Sequence, residues 1–284
     1  LDVLDSAEVR DLPFATTRDG YTVQLVSDGE GGIREETIAF FTAQSVEDVI
    51  EDDGAETRRS FRLRGTVGGR AHEFLVPTAE FNAMNWPLEH LGPKAIVRSG
   101  FGAREKLREA VQLLSPKDIP ERRIYLHLGW VTIDGKLAFL HAGGALGAEG
   151  PIPGVQLKLE HPLDRFLLPA PPKGQTLVDA IHALLRLLDG LASDEVMFPL
   201  FALPFGVLVA AVRACIHLTG GTGVRKSELV ALCQRLFGAT LTVEQLASWS
   251  STANYLEMLA FHAKDSVLAV DDFCPTGTAT EVQH

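Results

Sequence analysis

The chain has 284 residues, of which 46% are hydrophobic and 22% charged, with 26 Gly and 15 Pro. This excludes a disordered tail, a collagen-like chain and a coiled-coil rod, because the apolar content is enough for a buried core. A net charge of −11, from 26 basic and 37 acidic side chains, excludes a nucleic-acid binder that works by overall basicity and leaves only local basic patches open.

In chain order, the sequence opens on Leu1-Asp2-Val3, with no Met and no charged-then-apolar leader. Between Tyr21 and about Leu159 hydrophobic residues alternate, which predicts short strands over 21–26, 37–41, 60–64, 71–76, 123–128 and 136–140. Turns at Asp28-Gly29, Gly68-Gly69 and Asp134-Gly135 punctuate them. Asp134-Gly135 suits a two-residue type I′ hairpin, whose central residues need positive φ. One helix interrupts the strands: over 103–114, Leu107, Ala110, Val111 and Leu114 fall on one face. Residues 1–168 therefore read as a β-rich α+β domain.

A Pro-rich linker follows at 169–175. Beyond it, Leu177, Ile181, Leu184, Leu185 and Leu188 predict a helix over 176–191 with one apolar face. The uncharged run 196–212 is shorter than the ~20 residues of a membrane helix. With Pro199 and Pro204 inside, it reads as a buried helix pair broken at the prolines. Then come a strand at 214–218, a Gly-rich loop, helices at 227–237 and 252–263, and a strand at 266–270. That order opens a parallel α/β sheet, so 176–284 reads as a helical segment followed by the start of an α/β domain.

The Gly-rich loop carries the chemistry. Phosphate binding needs successive backbone N–H groups, glycines that let the chain approach the oxygens, a Lys for the β/γ-phosphates and a Ser or Thr for Mg²⁺. Gly220, Gly221, Thr222, Gly223 and Val224 supply the loop, and Lys226 and Ser227 open the helix whose N-terminal dipole favours an anion. Arg225 stands where the P-loop pattern has Gly. If that position needs positive φ, Arg adds about 1–2 kcal/mol of strain; if not, it lends the phosphates a second cation. The alternative is a plain Gly-rich turn capped by Ser227.

A P-loop also needs a strand ending in carboxylates, to hold the Mg²⁺ shell and polarise water. Val267-Leu-Ala-Val270 followed by Asp271-Asp272 has that form, with Asp271 as the metal-shell candidate and Asp272 as the catalytic base. The alternative is an acidic surface turn.

These residues, with others, resemble the domain-of-unknown-function 927 family of P-loop ATPases from phages, plasmids and integrated elements. Tyr125-Leu-His-Leu-Gly-Trp130, Leu140-His-Ala-Gly-Gly-Ala-Leu-Gly147, Thr219-Gly-Gly-Thr-Gly223, Lys226-Ser-Glu-Leu229, Ser248-Trp-Ser-Ser-Thr-Ala-Asn254 and Lys264-Asp265 carry the resemblance, together with Val270-Asp-Asp-Phe273. It spans roughly 21–277. It implies ATP and Mg²⁺ binding, and ATP hydrolysis in helicase- or primase-associated DNA replication of a mobile element. The implied partners are DNA and a primase or other replication protein, without a membrane, and an oligomer is compatible with this. Such ATPases continue past the acidic strand with a sensor residue and an Arg finger, so the expectation is that 176–284 is a helical segment plus the N-terminal part of a P-loop NTPase core truncated on its C-terminal side, a fragment of weak or no activity.

Other features point less sharply. The basic run containing Arg59, Arg62 and Arg64, in which Arg62 and Arg64 share one strand face, is of the kind that tracks a phosphate backbone, although acidic residues between Glu47 and Glu56 stand ready to neutralise it. His127 and Trp130 on one strand and His141 on the next read as satisfied polar groups near a core, with a metal or base role as the alternative. Gly143–Gly147 reads as a strand-end turn, and Ser251 or Thr252 as a helix N-cap. Cys215, Cys233 and Cys274 are too dispersed for a disulfide framework and fit a reducing cytoplasm. The rival reading is a non-hydrolysing nucleotide-binding adaptor whose β-rich domain binds a replication partner or single-stranded nucleic acid; a small-molecule kinase ranks below both.

Overall fold

The computed structural model describes residues 12–29, 31–210, 214–221 and 223–272. They form a mixed α/β protein, β-rich toward its N-terminus, in two compact units. One unit is Leu1–Glu51 with Thr57–Arg123; the other is Asp52–Glu56 with Ile124–His284. The division falls at Arg123, not at the Pro-rich linker, so the boundary expected after residue 168 lies inside the second unit.

In the first unit, β1 (Phe14–Thr16), β2 (Thr22–Ser27) and β3 (Ile33–Ala39) make an antiparallel sheet. A second sheet contains β4 (Thr42–Asp52), β5 (Thr57–Val67) and β6 (Arg70–Pro77). Gly68 and Gly69 close the β5–β6 hairpin with φ of 55° and 75°, and Val67 lies opposite Arg70, so the turn does need glycine's freedom. Strand β4 is not predicted by the alternation pattern, because Glu47, Asp48 and Glu51 interrupt it. The helices are α1 (Thr78–Ala83), α2 (Trp86–Leu91) and α3 (Ala103–Leu114). Helix α3 buries Leu107, Ala110 and Val111, the face its spacing predicts, against a core that includes Phe14, Phe41, Leu63, Phe81 and Trp86. Strand β7 (Glu121–Tyr125) runs beside β4.

In the second unit, β8 (Gly129–Ile133), β9 (Lys136–His141), β10 (Gly144–Gly147) and β11 (Gly150–Ile152) form an antiparallel meander, and β12 (Gln156–Leu157) pairs in parallel with Ile124 and Tyr125. The Asp134-Gly135 turn has φ of 50° and 75° and joins Ile133 to Lys136, as the dipeptide predicts. The helical part comprises α4 (Gln175–Leu185), α5 (Asp194–Val209), α6 (Lys226–Gln234) and α7 (Ala253–His262), with a parallel pair formed by β13 (Ala247–Ser248) and β14 (Val270–Asp271). Leu128, just before the meander, and Phe139 within it share one core with Phe237, Leu241, Leu259 and Ala263. That shared core is why the meander groups with the helices beyond the linker.

Four expectations need correction. Helix α4 forms, but none of its residues is buried, and Leu177, Ile181 and Leu185 face solvent. The run from Val196 is one helix rather than a broken pair: α5 passes through Pro199 and Pro204 and buries only Met197, Leu200 and Pro204. Each proline forfeits a single N–H donor, and residues 211–213 lie outside the described part. Residues 214–218 are not a strand; they are irregular, with Cys215 and His217 exposed, because a five-residue apolar run becomes a strand only where a sheet edge receives it. The strand expected over 266–270 is reduced to Val270–Asp271, while Val267 and Ala269 are buried in irregular backbone. Among the described residues no helix is long and apolar enough to cross a membrane.

Candidate functional site

The Gly-rich loop ends where α6 begins, at Lys226. Gly220 and Gly223 have positive φ, 156° and 84°, and Gly221, Gly223 and Val224 are exposed; Thr222 lies outside the described residues. Arg225 is the N-cap of α6, with φ 59° and ψ 34°. The position where a P-loop carries Gly is therefore left-handed, and the Arg side chain pays a Cβ clash there that Gly would not. The guanidinium is exposed and, among the described residues, has no ion-pair partner.

Lys226 folds back over the loop. Its Nζ donates to the carbonyls of Gly220 at 3.0 Å and Gly221 at 2.9 Å. No side chain caps α6, so the Ser227 cap of the plain-turn alternative does not form. The first N–H groups of the helix keep their capacity to meet an acceptor. Ser227 is half-buried at the second helical position.

Asp271 ends β14, where its carbonyl accepts from the Trp249 N–H at 3.0 Å. Its carboxylate is half-buried and, among the described residues, unpaired, as is that of exposed Asp272, which sits at φ 62°. No hydrogen bond or ion pair among the described residues joins Lys226 or Ser227 to either acid. Ser227 and Asp271 thus retain free oxygen donors of the kind a hard cation takes. The Lys226 ammonium is instead hydrogen-bonded by the loop's own carbonyls.

The basic strand face is committed elsewhere. Arg62 donates to Glu47 at 2.8 Å and Arg64 to Glu73 at 2.7 Å. Arg59 lies 3.5 Å from Asp48 and 3.9 Å from Glu121. Arg122 also reaches Glu47, at 2.9 Å. Burial raises the Glu47 pKa, but hydrogen bonds and charge from Arg62 and Arg122 outweigh it and hold the carboxyl below its usual range. A phosphate backbone would have to displace these carboxylates.

The motifs on either side of the linker meet. Gly129, at φ 94°, comes so close to the turn after α7 that a Cβ would sit 2.4 Å from the Lys264 carbonyl. The Trp130 N–H donates to the Asp265 carboxylate at 2.9 Å, and the Leu128 N–H to the His262 carbonyl at 2.8 Å. The Trp130 indole donates to the Leu208 carbonyl. These contacts give the His-x-Gly-Trp run a packing role. His127 is fully buried, with Nδ1 2.7 Å from the Leu128 carbonyl and Nε2 unpartnered. The Nδ1 of His141 accepts from the N–H groups of Gly143 and Leu168 at 3.2 and 3.3 Å, and burial holds its pKa below the ordinary value. Both histidines are core residues as expected, although only His141 is satisfied. Gly143 lies in the turn into β10, and Thr252 caps α7 by accepting from the Tyr255 N–H. Burial raises the Cys233 thiol pKa, leaving it unreactive.

One grouping escaped the sequence reading: Glu80, Glu89 and His90 hold ligand atoms within 4.8 Å of one another, with the His90 ring stacked on Phe74 at 4.6 Å. No spacing signal marks it, since Glu80 comes from α1 and the others from α2, and nothing in its surroundings points to an ion. A scan of protein-family models finds no match to the chain, and no curated protein matches its sequence.

Proposed function

We propose that the chain binds a nucleoside triphosphate with Mg²⁺ through residues 220–227, and that it serves as a P-loop ATPase, helicase- or primase-associated, in DNA replication of a mobile element. The observation that supports the reading is the Lys226 ammonium, held on the Gly220 and Gly221 carbonyls beside an uncapped helix start. In this reading the ammonium exchanges those carbonyls for β/γ-phosphate oxygens, and the first amides of α6 turn toward the phosphates. Ser227 and Asp271 would hold Mg²⁺, which supplies charge neutralisation on the phosphoryl oxygens. Asp272 would orient the attacking water. The chemistry of these donors suits a triphosphate better than a neutral ligand.

The left-handed Arg225 favours a second reading, in which nucleotide is bound but not turned over: the loop accommodates the anion while the bulky N-cap keeps the amides from their full approach. Thermal unfolding with and without ATP–Mg²⁺ tests binding. Ligand at about 100 times its Kd stabilises by about 2.7 kcal/mol, and Lys226→Ala should abolish the shift. No shift with the parent chain, or an undiminished one with Lys226→Ala, overturns both readings. Phosphate release then separates them.

A further inference from the structure

Once Arg59, Arg62 and Arg64 are seen to be paired with acids, the partner-free positive charge of the first unit lies elsewhere. From residue 92 to 109 there are five basic side chains, Lys94, Arg98, Arg104, Lys106 and Arg108, against Glu105 and Glu109. This is a basic stretch in a chain of net charge −11. Arg98 and Arg104 are exposed and, among the described residues, form no ion pair. They line one concavity of about 630 Å³, whose walls include Leu88, Ile96, Ser99 and one acid, Glu105, so that its two arginines outnumber its carboxylate. At its lip, between the lining residues Gly100 and Gly102, Phe101 is 104% exposed. The ring has no intramolecular cover and contributes nothing to the core; beside two unpaired guanidinium groups it has the composition of a base-stacking platform. Helix α3 begins at Ala103 after the positive-φ Gly102, with no side-chain cap, which adds N–H donors to the same spot.

We propose that this surface binds single-stranded nucleic acid, with a base stacked on Phe101 and the flanking phosphates held by Arg98 and Arg104. The charge complementarity selects a polyanion, and the exposed ring selects unpaired bases over a duplex, whose bases are already stacked. The surface lies wholly in the first unit and does not depend on the nucleotide reading of residues 220–227.

The test is fluorescence anisotropy of a labelled 20-nucleotide oligo-dT with the full chain and no ATP, at 50 and 200 mM salt. Binding should weaken with salt, and Arg98→Gln or Arg104→Gln should each lower the log–log slope by about 0.7, one phosphate contact on a single strand. Phe101→Ala should weaken binding by about tenfold or more, the loss of one stacked base, while circular dichroism stays unchanged because the ring packs on nothing. Arg62→Gln, which removes a paired arginine, should bind like the parent. Three results overturn the proposal: no binding at 50 mM salt, undiminished binding by Phe101→Ala, or equal competition by a duplex of the same length.

Discussion

Arg225→Gly should make the protein more stable. The native backbone at 225 has φ 59° and ψ 34°, where an L side chain costs about 1–2 kcal/mol. Glycine removes that cost but gives the unfolded chain extra freedom, worth about 0.4–1 kcal/mol in the opposite direction. The net gain is about 0.5–1 kcal/mol, or a rise in melting temperature of about 1–4 °C for a unit of this size. Arg225→Ala is the control. It removes the same charge from the start of α6, so any relief of the unfavourable dipole contact, about 0.3–1 kcal/mol, appears in both variants. Alanine keeps the Cβ and hence the strain, so only glycine should gain the remainder. Differential scanning calorimetry and urea titration at one pH measure both. Equal stability of the Gly and Ala variants would refute the strain argument, and with it the view that this position has a glycine's backbone occupied by an arginine.

Glu47→Gln should lower stability at pH 7 by about 1 kcal/mol, since it weakens two partly exposed pairs at once. The folded pKa of Glu47 is depressed, so its contribution is present above the unfolded value near 4.5 and fades as pH falls through the folded one. The gap between variant and parent in urea midpoint should therefore close at acid pH. His141→Leu should cost about 1–3 kcal/mol by leaving the Gly143 and Leu168 amides unpaired. Its folded pKa is also depressed, so the unfolded chain takes up that proton first; the parent should lose stability below about pH 6.5, and the variant should lose less. Gly129→Ala should be among the most damaging single changes, about 2–4 kcal/mol, because a new Cβ meets the Lys264 carbonyl at 2.4 Å in addition to the positive-φ cost. Soluble yield and melting temperature report it.

Local signals were legible where one residue type answers one backbone need. Asp134-Gly135 and Gly68-Gly69 specify hairpins because few residues accept positive φ, and α3 follows from one buried stripe whose pattern no partner has to complete. Strand β4 was hidden because its acids belong to a cross-strand network. Glu47 meets Arg62 and Arg122, and Asp48 meets Arg59, so charge occupies positions that alternation assigns to apolar residues. The same network takes up Arg59 and Arg62 of the first candidate nucleic-acid face, as the acids from Glu47 to Glu56 foreshadow. The opposite error arose at α4 and 214–218. Apolar spacing there predicts partners, but spacing measures only what a segment is able to bury, and not whether a surface meets it.

At the candidate loop, residue types were readable and conformation was not. The glycines, Lys226 and Ser227 announce a phosphate cradle, but whether Arg225 breaks the pattern depends on its φ, which no composition gives. Because that φ is positive, the substitution leaves the backbone path in place and changes only what hangs from it. A loop under no constraint would be free to relax Arg225 into the ordinary right-handed region, merging it into α6. Instead the strained residue is held at the helix start, with the amides behind it uncapped and the lysine folded back onto the Gly220 and Gly221 carbonyls. Strain of about 1–2 kcal/mol persists in a native state only when neighbouring structure fixes it. Here the glycine-rich segment before it and the α6 packing after it are what remain to do so, which places the constraint in the path of the loop itself.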